Sequence, residues 1–143
     1  MTLTDEEDAF FHFVLSRRPE WRPYLSALAK GSGETTNAAL TVESPTEDPF
    51  LAIILWLSHG DPSVGFGGWH AHFTSHEAAW TSVRAIEEGL LVVATDIGGE
   101  FDGSRGILDL REEDAVLAYL THRCGPPRVR IHSFSGEVDE TYP

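Results

Sequence analysis

The chain has one cysteine, one lysine, one asparagine and no glutamine among its 143 residues. With Cys124 alone, an intrachain disulfide is excluded, and a reducing compartment is expected. Long hydrophobic runs are also missing. The longest, Phe50 to Leu57, is too short to cross a bilayer. The N-terminus reads Met-Thr-Leu-Thr-Asp-Glu-Glu-Asp and lacks the basic residues of a secretory signal. A cytoplasmic protein without membrane association is therefore expected. Nine of the ten basic residues are arginine. Arginine, alanine, glycine and proline codons are rich in G and C, so this bias points to a high-GC bacterial genome.

Familiar catalytic signatures are absent too. There is no Gly-x-Ser-x-Gly elbow. Gly65-Phe66-Gly67-Gly68 lacks the Gly-Lys-Ser/Thr ending and the following helix of a phosphate loop. Its glycines read instead as a bulge or a close approach of backbone.

Negative charge is what the chain has in excess. The 23 acids give a net charge of −13. Ten acids oppose four bases in residues 1–72, and thirteen oppose six in residues 73–143, so the charge belongs to the whole molecule and not to a tail. Such a field repels nucleic acid and anionic membrane and attracts cationic proteins. Hydrophobic content of 41% and charged content of 23% are those of a globular protein, and the length suits one domain, 1–143.

Thr4-Asp5-Glu6-Glu7 has the form of a capping box. Phe10, Val14, Trp21, Leu25 and Leu28 follow at helical spacing, interrupted by Pro19 and Pro23, which predicts two helices at 5–17 and 20–30, the second stopped by Gly31-Ser32-Gly33. A strand is expected over 38–44. Phe50–Leu57, apolar throughout, reads as a central strand buried on both faces. A glycine-rich strand, 64–73, should be its neighbour. Thr74-Ser75-His76-Glu77 suggests a second capping box, before a helix carrying Trp80, Val83, Ile86 and Leu90. Strands are expected at 91–97 and 106–110. Asp109-Leu110-Arg111-Glu112 should cap a helix with Val116, Tyr119 and Leu120 inward, ended by Gly125-Pro126-Pro127. A last strand, 128–134, precedes an acidic end, 135–143, expected to fray. The order α-α-β-β-β-α-β-β-α-β, with short turns between strands, argues for an α+β fold: a mainly antiparallel sheet with helices packed on a face. The expected core is Phe10, Val14, Ile53, Leu55, Trp56, Trp80, Val83, Ile86, Val92, Val116 and Leu120.

The most informative stretch is Gly65-Phe66-Gly67-Gly68-Trp69-His70-Ala71-His72-Phe73. Alternation along a strand puts Trp69, Ala71 and Phe73 on one face and His70 and His72 on the other. The candidate functional face is Trp69, His70, His72, His59, Asp61 and His132, and Trp69 is the tryptophan expected to be partly exposed. Two imidazoles at this spacing can share a metal, but a catalytic zinc usually takes three protein ligands. The third would come from His59, Asp61, His76, Asp96 or His132, none at a diagnostic spacing. The adopted reading is a polar strand face with no metal and no cofactor; metal ligation by His70 and His72 is the alternative. His72 and His76 are not a helical zincin pair, because a strand-to-helix break separates them and Glu77 lies outside. Cys124 near His122 reads as a small buried thiol. Arg128, Arg130 and His132 should share a face of the last strand, paired with carboxylates.

The run from the apolar strand through Gly-Gly-Trp-His-Ala-His-Phe to the amphipathic helix, roughly residues 50–110, together with Ser135-Gly136-Glu137, resembles small bacterial proteins of the immunity type. That resemblance implies a partner that neutralises a secreted toxin, and it carries no catalytic residue. The expected function is a non-enzymatic acidic binding protein, an immunity protein for a basic toxin. The alternative is a metal-dependent enzyme built on His70 and His72.

Overall fold

The computed structural model describes residues 2–28, 38–122 and 128–143. Helix α1, Asp5–Arg17, opens with the expected capping box: the Thr4 hydroxyl accepts from the Glu7 amide, and the Glu7 carboxylate accepts from the Thr4 amide. The same carboxylate, 1% exposed, also accepts from the amide of Ala38 at 3.1 Å, which ties the helix start to the sheet.

The helix expected at 20–30 does not form. Pro19–Tyr24 is a 3-10 segment, followed by strand β1, Leu25–Ala27. Pro19 and Pro23 deny it the donors of a regular helix. The expected stop at Gly31-Ser32-Gly33 lies outside the described residues, as do Cys124 and Gly125-Pro126-Pro127.

The α+β class holds, but the strands divide between two antiparallel sheets. The first is a meander of β1, β2 (Ala38–Val42), β3 (Ile53–Ser58), β4 (Asp61–Phe66) and β5 (Trp69–His72), in that spatial order. The expected glycine-rich strand is thus a hairpin, β4–β5, turning at Gly67-Gly68. The neighbour of β3 is β4, with β5 one strand further out. Phe50 is not in the strand, because Pro49–Leu51 forms a 3-10 turn. Nor is β3 buried on both faces. Ile53, Leu55 and Leu57 point inward, while Ile54 is 38% exposed.

Helices α1 and α2 (His76–Glu87) cover only the inner face of this sheet. Phe10, Phe11, Val14, Val83 and Ile86 meet Leu40, Ile53, Leu55, Val64 and Phe66 in one core. Ser75 caps α2 by accepting from the amide of Ala78, so Thr74 and Glu77 are not the cap pair expected.

The second sheet runs β7-β6-β8-β9, with β6 Leu91–Ile97, β7 Arg105–Asp109, β8 Arg128–His132 and β9 Asp139–Tyr142. Its β6 is the strand buried on both faces: Leu91 and Val93 join the main core, and Val92 and Ala94 join a second core under α3, Ala115–His122. This helix starts later than expected. Asp109 binds Arg111 through both its amide and its guanidinium instead of capping a helix. The C-terminal segment is ordered as β9, paired with β8 and held by Arg130–Asp139. Among the described residues, no helix is long and apolar enough to cross a membrane.

Of the expected core, Phe10, Val14, Ile53, Leu55, Val83, Ile86 and Val92 are buried. Trp56, Trp80, Val116 and Leu120 are only half-buried. Trp56 lies on the uncovered sheet face, and Trp80 sits at the edge of the core against Trp21. Val116 and Leu120 belong to a short helix that, among the described residues, is the one helix covering its layer.

Two substitutions test this packing by chemical denaturation. Ile53→Ala should cost about 2–5 kcal/mol through the cavity it leaves. Gly67→Ala should cost about 1–3 kcal/mol, because φ there is +61° and a β-carbon would run into Val93.

Candidate functional site

The outer face of the first sheet carries Ile54 and Trp56 from β3, Asp61, Ser63 and Gly65 from β4, and His70 and His72 from β5. Register places them in rows: Trp56 opposite Ser63 and Ser63 opposite His72, then Ile54 opposite Gly65 and Gly65 opposite His70. With no side chain at Gly65, the rows leave a furrow, and the Trp56 ring leans over it, 3.1 Å from where a β-carbon would stand. The furrow continues past Phe50 and Gly68 as a groove of about 270 Å³.

His70 and His72 share this face, and both are exposed. Their rings lie 5.2 Å apart, with Trp56 at 6.0 and 6.4 Å. The Ser63 hydroxyl is 2.6 Å from His72 Nδ1 and 3.1 Å from the carbonyl of Asp61. A hydroxyl has one proton, so both contacts are made together only if His72 Nδ1–H donates to Ser63 and Ser63 donates to Asp61. That tautomer leaves the Nε2 lone pair free. Ser63 itself is fully buried, so it orients His72 and does not offer a reachable nucleophile. Two imidazoles side by side could share a metal ion, but among the described residues no set of three or more His, Cys, Asp or Glu converges to hold one.

The other expected site residues scatter. Asp61 shares the outer face. Trp69 is on the opposite face of β5, partly buried against the main core. His59 is exposed at the tip of the β3–β4 turn, with φ +50°. His76 lies against Phe10 and Phe13, each ring 5.3 Å away. Asp96 is buried in the second sheet, where it accepts from Tyr119.

His132 belongs to a separate cleft of about 230 Å³, between the turn before Pro49 and the β8–β9 hairpin. Its imidazole is buried, with Nε2 3.2 Å from the Thr95 hydroxyl and Nδ1 without a hydrogen-bond partner among the described residues. Asp48 Oδ2 stands 3.9 Å from that nitrogen. Burial lowers the His132 pKa below the ordinary histidine value, and Arg130 adds to the effect; Asp48 and Asp139 oppose it. Phe50, Ile54, Trp56 and Asp48 were missed as site residues. The first three sit in a run apolar at every position, which gives alternation nothing to mark, and Asp48 looks like a turn residue.

No known protein family, curated protein or solved structure matches this chain.

The His132 environment predicts a pH window. Below about pH 6.5 the unfolded chain takes up a proton that the folded chain does not, so stability should fall as pH drops until the lower folded pKa is passed. Urea midpoints measured between pH 7 and 5 should show this slope, and it should flatten in His132→Asn. Asp109 and Asp139, held low by hydrogen bonds from Arg111 and Arg130, should contribute a separate loss only below about pH 4.

Proposed function

We propose that this chain is a non-enzymatic binding protein that receives a basic protein on the outer face of its first sheet. The observation that carries the reading is that face itself: among the described residues no helix covers Ile54, Trp56, His70 and His72, and Phe50 beside them is 50% exposed. A contiguous patch of this kind on a small protein marks an interaction surface.

Charge argues for a basic partner. Arg18, Arg84, Arg111 and Arg130 already hold carboxylates, and Arg17 and Arg105 lie over Phe13 and Phe50. The surplus acids are left facing solvent, where they would speed the approach of a cationic protein to the molecule as a whole. The resemblance to immunity proteins fits this reading, with a basic toxin as the partner in a bacterial cytoplasm.

The test uses any toxin domain encoded beside this gene. Co-expression should restore growth, and association of the purified proteins should slow steeply with added salt. Ile54→Asp should weaken the complex by about tenfold or more, about 1.4 kcal/mol, while leaving thermal unfolding unchanged. Full affinity in both Ile54→Asp and Phe50→Ala would place the interface elsewhere, and a complex indifferent to salt would remove the electrostatic part of the reading.

A further inference from the structure

The cleft at His132 is built by two interlocked loops. The Ser44 hydroxyl donates to the carbonyl of Phe134 and lies 2.7 Å from that of Thr46. Gly136, at φ +82°, lets the hairpin close onto Thr46: a β-carbon there would come within 2.8 Å of its methyl group. Asp48 is turned by its own backbone. Its Oδ1 accepts from the Phe50 amide at 3.0 Å, which leaves Oδ2 facing the cleft and His132.

The charges here do not balance. Arg130 is the only cationic side chain lining the cleft among the described residues, and both its bonds go to Asp139, at 2.8 and 3.0 Å. Asp48 and Glu47 remain without an arginine partner among the described residues. Behind Asp48 lies the second anomaly. The His132 side chain is 6% exposed and its Nδ1 has no hydrogen bond among the described residues, an arrangement that costs stability unless something completes it.

We propose that this cleft binds a guanidinium or a protonated amine, a cation carrying N–H donors, through Asp48 and Glu47, and that a proton on His132 competes with that group for Asp48. Oδ2 is the one free acceptor between them. With His132 neutral, the carboxylate is available to an outside cation. With His132 charged, a shift of about 1 Å brings Nδ1–H into hydrogen-bond range of Oδ2 and neutralises it. The other groups around the imidazole are Arg130 and Asp139 on the hairpin, Arg105 on β7 and Thr95 on β6. None of them offers Nδ1 a bond. The proposal stands apart from the sheet-face reading, since Ile54→Asp should leave it untouched.

The experiment follows the carbon-bound ring protons of His132 by NMR in the full chain, titrated with N-methylguanidinium at pH 7.5. The expected result is a saturable shift at His132. Linkage also requires a lower His132 pKa at saturation, by about one pH unit for a tenfold weaker binding to the protonated form. Asp48→Asn should abolish both effects, and Glu47→Gln should weaken binding. Tetramethylammonium, which has charge but no N–H donor, should do neither. A spermidine arm and a single-arginine peptide arm tell a polyamine from a protein side chain as the source. The proposal is overturned if saturating N-methylguanidinium leaves the His132 pKa unmoved, if Asp48→Asn responds like the parent chain, or if tetramethylammonium acts equally.

Discussion

The two sheets meet at a glycine. Gly67 turns β4 into β5 and presses backbone against Val93 and Ile107 of the second sheet, where a β-carbon would have no room. One residue therefore closes the hairpin that carries His70 and His72 and docks it on β6 and β7. A positive φ and a close approach are demanded at the same atom, so only glycine serves both. The position of the candidate face relative to the rest of the molecule rests on this joint.

From that joint the burial pattern follows. The second sheet has the main core on one side and α3 on the other, so β6 is apolar on both faces. The first sheet has α1 and α2 on its inner side only. Its outer side carries a tryptophan, two histidines and a bare isoleucine. In a chain whose arginines are largely engaged by carboxylates and rings, that face combines apolar surface with an overall negative charge, which is the combination the proposed docking of a basic protein relies on.

The two histidine environments differ for a physical reason. His72 is exposed, with its Nδ1 tied to a buried serine, and it keeps a free nitrogen toward solvent. His132 lies in the cleft between the turn before Pro49 and the β8–β9 hairpin, where burial disfavours the charged ring and one nitrogen finds no partner among the described residues. The first presents its ring on the open face of the sheet. The second couples the protonation of the fold to an acidic cleft.

Local signals were legible in the chain. The capping box at Thr4, the alternation from Trp69 to His72, the antiparallel order and most of the main core follow from periods and caps that act over a few residues. The helix expected after Pro19 gives way to a 3-10 segment and the short strand Leu25–Ala27, which was not legible because apolar spacing there suits a helix and the strand is decided by pairing with β2. Phe50–Leu57 looked buried on both faces because composition cannot say how many layers lie above a strand. His132 and Asp48 are 84 positions apart, and nothing local joins them. Sequence by itself determined the class, the charge and the shared face of His70 and His72, since each depends on composition or on a two-residue period. Tertiary structure alone decided which sheet face stayed open and which histidine was buried, because both depend on how separate segments stack.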